Sequence, residues 1–192
     1  MGKGQKTLLT IIGLLVVLVL IPFLYVKSTY NTLVRMDEQV KAAWAQVENQ
    51  LQRRYDLIPN YVETVKGYAK HEKEVFIKVT EARSKVAGAT SIPDKIRANN
   101  ELSAALSRLL VVVERYPDLK ANQNFIRLQD ELAGTENRIA VERRRFNEAV
   151  RAYNTKIRSF PTNIIASMFG FKPATFFQVP KEKQEAPKVK FD

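Results

Sequence analysis

From Thr7 to Val26 the chain reads TLLTIIGLLVVLVLIPFLYV, a run of 20 residues without a charge. A helix needs about 20 apolar residues to cross the roughly 30 Å hydrocarbon layer of a bilayer. Lys3 and Lys6 flank the run on one side and Lys27 on the other, with Phe23, Tyr25 and Tyr30 where an interfacial aromatic belt would lie. A cleaved secretion signal has a shorter apolar stretch and a small-residue cleavage motif. This run is longer and no such motif follows it. The reading is therefore a short polar tail over 1–6 and a retained transmembrane anchor over 7–27. Pro22 removes one backbone hydrogen bond inside the span, and Gly13 is its only glycine, so there is no GxxxG pairing face. Lys3 and Lys6 crowd one end, whereas Lys27, Arg35 and Lys41 are dispersed beyond the other. That density favours a cytoplasmic tail and an extracytoplasmic body.

Beyond the anchor, apolar residues recur at alternating steps of three and four, a period that strands cannot produce. The stripe runs through Leu33, Val40, Trp44, Val47, Leu51 and Tyr55, then Ile58, Val62, Val65, Ala69, Val75, Val79, Ala82 and Val86. It resumes at Ile92, Ile96, Leu106, Leu109 and Val113, and again at Phe125, Leu128, Leu132, Ile139, Phe146, Val150, Tyr153, Ile157 and Phe160. Asp37, Glu72, Asn99 and Ser103 interrupt it, with Asp37, Asn99 and Ser103 there either to fix register or to face a companion helix. Punctuation places the breaks. Asp56 with Pro59 reads as a helix start, Gly88 as an end, Ser91-Ile92-Pro93-Asp94 as a capped start, Tyr116-Pro117-Asp118 as a turn and Phe160-Pro161 as a stop.

The expected fold class is all-α: an N-terminal transmembrane helix, then an elongated antiparallel up-and-down bundle of about four helices over 28–171. Helices are expected near 28–55, 57–87, 92–115, 122–159 and 163–169, joined by short connections that make neighbours antiparallel. A helix continuous from the anchor to residue 55 would form a stalk of roughly 75 Å at 1.5 Å per residue. Residues 172–192, mixing lysine, glutamate, alanine and proline, read as a flexible tail. The short apolar stretch Ile164 to Phe171 either caps the open end of the bundle or docks on a partner or a membrane surface.

Cysteine is absent, which removes disulfides, thiol nucleophiles and thiolate metal sites. The single histidine, His71, begins His-Glu-Lys-Glu-Val, so Val75 stands where a zinc-protease helix needs its second histidine. Tyr68 stands where a di-iron bundle needs the glutamate of Glu-x-x-His. No phosphate-binding glycine loop or GxSxG occurs. Glutamates such as Glu63, Glu81, Glu131, Glu136 and Glu142 lack the concave pocket that acid/base chemistry requires in a slim bundle. No catalytic residue, cofactor or metal is expected. The formal net charge of +11 attracts acidic lipid, nucleic acid or acidic protein. Arg143-Arg144-Arg145, with Arg151, Lys156 and Arg158 further down the last helix, are the candidate contacts with an anionic surface. Interleaved glutamates favour a solvated surface, with anionic-surface contact as the alternative. Trp44, among small neighbours, reads as core.

The stretch AWAQVENQLQRRYDLIPNYVETVKGYAKHEKEV, Ala43 to Val75, resembles the signature region of the LemA family. Tyr30-Asn31-Thr32-Leu33-Val34 is similar to that family's opening, and Glu81-Ala82-Arg83, Tyr153-Asn154, Phe160-Pro161 and Gly170-Phe171 fit further on. The resemblance implies a bacterial, membrane-anchored antiparallel helical bundle, and it carries over no catalytic residue or cofactor. Within the signature, Gln50, Gln52, Arg53, Arg54, Tyr55 and Asp56 read as a helix-to-helix corner. They either fix that corner or form a polar docking site for another protein. The expected role is a scaffold or interaction protein of the bacterial cell envelope, single-pass in the cytoplasmic membrane, meeting other envelope proteins or copies of itself. Binding of anionic lipid or nucleic acid through the basic faces is the alternative, with nucleic acid the less favoured.

Overall fold

The computed structural model describes residues 3–178, with side chains undescribed at 3, 5–10 and 12. Residues 179–192, most of the expected flexible tail, lie outside the described residues, as do Met1 and Gly2. Six helices follow in order: α1 Lys3–Tyr68, α2 Lys73–Gly88, α3 Ile92–Val113, α4 Pro117–Lys120, α5 Gln123–Arg158 and α6 Thr162–Met168. The described residues contain no strand. The protein is an all-α bundle preceded by a long apolar helix. The polar tail expected over 1–6 is helical from Lys3 onward. The chain divides into two compact units, one drawing on 1–42 and 148–174, the other on 43–147 and 175 onward.

In the second unit, cross-helix contacts fix the direction of every neighbour. Trp44 meets Phe146 and Tyr61 meets Phe125, with ring centroids 5.4 and 5.3 Å apart, so α5 runs antiparallel to α1. Arg83 lies over the Tyr55 ring and Lys66 over Phe76, which sets α2 antiparallel to α1. Arg115 pairs with Glu72 and Lys85 with Glu101, so α3 returns antiparallel to α2. The core between them is Ile58, Tyr61, Val62 and Val65 of α1, Phe76 and Val79 of α2, Leu102, Leu106 and Leu109 of α3, and Phe125 and Leu132 of α5. Burial pushes the Tyr61 phenol up to about 12. Two caps secure the later starts. The Ser91 hydroxyl accepts from the Asp94 amide at 3.2 Å, and Asn122 Oδ1 accepts from the amides of Asn124 and Phe125.

The helix boundary expected at Asp56 does not exist. α1 continues through Asp56 and Pro59 to Tyr68, and the turn to α2 falls at Ala69–Glu72 instead. Asp56 caps nothing; it accepts a hydrogen bond from Gln52, one turn back, at 2.9 Å. Pro59 forfeits the bond to the Tyr55 carbonyl, at a cost of about 3 kcal/mol in a helix interior. Beyond it, Ile58, Tyr61, Val62 and Val65 are buried on one face. At about 1.5–3 kcal/mol for each such side chain, that face outweighs the loss. The interruptions in the stripe acquire partners: Glu72 pairs with Arg115 at 2.9 Å, while Asn99 is buried and Ser103 half-buried against α1.

Residues 172–178 also depart from expectation, because they are held rather than loose. In the first unit, Asn154 donates to the Ala174 carbonyl and accepts from the Ala174 amide, both at 2.9 Å. In the second, Asn147 does the same for Phe177, at 3.0 and 2.8 Å, and the Phe177 ring is buried near Trp44. One side-chain amide thus satisfies a whole extended residue, a pairing that the segment's composition conceals.

In the first unit, every described residue from Ile11 to Tyr25 is exposed, and burial begins at Thr29 and Leu33. Asp37 pairs with Lys41 at 2.8 Å. Thr162, Ile165 and Ala166 bury one face of α6. Phe169 and Phe171 pack their rings on Tyr30, at 4.9 and 5.8 Å.

Candidate functional site

The six residues read as a corner lie instead around the circumference of an unbroken helix. Gln52, Arg53 and Asp56 face outward, Gln50 and Tyr55 are half-buried, and Arg54 points into the second unit with 1% of its surface exposed. They therefore do not form a single polar surface for docking.

Arg54 is the chemical centre of this unit. Its Nη1 donates to the Ser103 hydroxyl and to Glu136 Oε2, both at 2.8 Å. Its Nη2 donates to Asn99 Oδ1 at 2.9 Å and to the Asn99 carbonyl at 3.3 Å. Asn99 is oriented in turn by donating its amide to the Lys95 carbonyl at 2.8 Å, and Ser103 donates back to the Asn99 carbonyl at 3.0 Å. One guanidinium thus joins α1 to α3 and α5. The planar fork suits this, since a lysine ammonium would not present donors in the same fixed directions. The Glu136 side chain is 55% exposed, so the ion pair is screened and the buried polar partners carry more of the interaction.

The basic residues on α5 separate into two groups. In the second unit, Arg143 lies 5.7 Å from the Phe177 ring centre and Arg145 pairs with Glu142 at 2.7 Å, so neither is a free cation. Arg144 there, and Arg151, Lys156 and Arg158 in the first unit, are exposed and make no ion pair among the described residues.

Sequence reasoning missed a third feature. Where α1 turns into α2, an open groove of about 540 Å³ is lined by Lys66, Lys70, Lys73, Phe76, Ile77, Thr80 and Glu81. Lys66 is engaged by Glu63, while Lys70 and Lys73 make no ion pair among the described residues. A lysine rim over Phe76 and Ile77 suits an anion that carries apolar surface. The spacing of 66, 70 and 73 held the signal, but a break misplaced at Asp56 hid the fact that these residues gather at a turn.

A sequence model described as the LemA family matches residues 43–191. The chain belongs to the LemA family. Among relatives, the magnetosome protein MamQ 2 of Paramagnetospirillum magneticum is 28% identical over 207 residues, covering 93% of this chain and 74% of that protein. The magnetosome protein MamQ of Magnetospirillum gryphiswaldense is 26% identical, covering 92% of this chain and 74% of the relative. Protein LemA of Metamycoplasma hominis is 26% identical over 157 residues, covering 81% of this chain and 71% of the relative. Arg54, the residue that ties three helices together, lies within the stretch that the family model matches. With its exposed apolar helix and these relatives, the chain is a membrane-associated helical protein.

Proposed function

We propose that this LemA-family chain is a non-catalytic scaffold of the bacterial cell envelope, anchored once in the cytoplasmic membrane with its bundle outside the cytoplasm. The observation that carries the reading is the dual character of α1. One helix, without a break, supplies the exposed apolar run from Ile11 to Tyr25 and the core residues Trp44, Val47, Leu51, Arg54 and Ile58. An exposed run of that kind is uncovered in water and matched in a bilayer. Relatives named for the magnetosome also support a membrane-associated role. Other envelope proteins are the proposed partners, with self-association a further outcome.

Cross-linking in isolated membranes tests this. Raising salt from about 0.15 M to about 1 M shortens the Debye length from about 8 to about 3 Å. A scaffold is expected to keep discrete protein adducts through that change. Adducts that vanish with salt would favour the second reading, attachment to anionic lipid or nucleic acid. The exposed Arg144, Arg151, Lys156 and Arg158 are the observation that supports it.

A further inference from the structure

The first unit leaves an apolar patch uncovered beside the anchor. Phe160 is 81% exposed and Met168 66%, with Ile164 and Phe169 about half exposed. A spacing of four sets Ile164 and Met168 on one face of α6, opposite the buried Ile165 and Ala166. This patch has a defined height. Phe169 and Phe171 pack on Tyr30, which lies four residues past the end of the apolar run, or about 6 Å along the helix. The polar boundary of a bilayer extends about 5–8 Å beyond the hydrocarbon layer on each side, so the Met168–Phe169 end of α6 stands within it.

The surrounding charge has one sign. No Asp or Glu occurs before Asp37 or between Ala149 and Ala174. Lys27, Lys156, Arg158 and Lys172 are all exposed and make no ion pair among the described residues. Exposed aromatic and aliphatic side chains in a stretch whose charges are all lysine and arginine match a lipid surface, with rings at the acyl boundary and cations among phosphates. The same cations would repel a second copy of the chain.

Resting on the reading of 7–27 as the membrane anchor, we infer that the α5–α6 tip, through Phe160, Ile164, Met168 and Phe169, is a second membrane contact that inserts into the headgroup region of an anionic bilayer. The chain has no cysteine, so single replacements carry an environment-sensitive fluorophore uniquely. Full-length Met168→Cys and Ile164→Cys are reconstituted in vesicles of phosphatidylcholine and phosphatidylglycerol, with nitroxide placed either near the glycerol or at the acyl-chain end. Both probes are expected to shift to the blue and to be quenched by the shallow nitroxide more than by the deep one. Val16→Cys, within the anchor, should be quenched by the deep nitroxide, and Ala140→Cys, on α5 in the second unit, by neither. Unquenched probes at 164 and 168 beside a quenched Val16→Cys would overturn the contact while leaving the anchor intact. An unquenched Val16→Cys would overturn the anchor reading itself. Disulfide formation between Met168→Cys copies without quenching would assign the patch to a second chain and also overturn the proposal.

Discussion

Arg54 occupies a position in the spacing Trp44, Val47, Leu51, Arg54, Ile58 where the other members are apolar. A buried cation persists there because Asn99, Ser103 and Glu136 supply acceptors around its fork. Removing one partner of a buried charge costs about 3–5 kcal/mol, whereas an apolar residue of similar length is often tolerated. Arg54→Ala removes the charge itself and leaves Glu136 solvated, so what it strands is the Asn99 and Ser103 acceptors; it is expected to lower the unfolding free energy of the detergent-solubilised chain by about 1–3 kcal/mol. Arg54→Met should cost distinctly less, and Glu136→Gln under about 1 kcal/mol because that carboxylate is largely solvated. Melting followed by circular dichroism checks the order; an Arg54→Ala chain that melts with the parent would refute the structural role. The sequence contained a clue to this residue. Leu51 and Ile58 are seven apart, so the phase of the stripe crosses the supposed break unchanged and passes through 54 rather than 55.

At the scale of elements, residues with distinctive local chemistry announced themselves and those acting through long-range contacts did not. Ser91 with Asp94, and Pro117 after Tyr116, are punctuation that the backbone reads locally. Asp56 and Pro59 carry the same punctuation, but the burial of a continuous α1 face overrides it. The real turn at Ala69–Glu72 has no side-chain cap on α2, and its one local mark is Gly67, just before the end of α1. The segment 172–178 is opaque, since its order comes from Asn147 and Asn154, distant in sequence. Asn147→Leu removes two hydrogen bonds to Phe177, each worth about 1 kcal/mol. Limited chymotrypsin digestion is expected to cut at Phe176 and Phe177 faster in that variant, with melting little changed; equal cleavage would show that ring burial alone holds the segment.

For the whole molecule, the long apolar N-terminal helix and the all-α class were legible because each rests on a long run of one pattern, uncharged in 7–26 and heptad-like beyond. The candidate site was not, because the groove of Lys66, Lys70 and Lys73 and the Arg54 junction depend on which helices meet. Orientation is open to direct measurement. Ala140→Cys is expected to react with a membrane-impermeant maleimide in intact cells; reaction only after lysis would invert the topology and set the basic faces against the cytoplasmic leaflet. The Arg54 junction also bears on how such a chain avoids error while folding. Four amphipathic helices with similar apolar stripes can collapse in many pairings of comparable greasiness, and nothing in dispersion forces distinguishes a stripe displaced by one turn. A guanidinium at the centre does distinguish them. A pairing that keeps residue 54 inward but parts it from Asn99, Ser103 and Glu136 leaves a buried cation uncompensated, at a cost of about 3–5 kcal/mol.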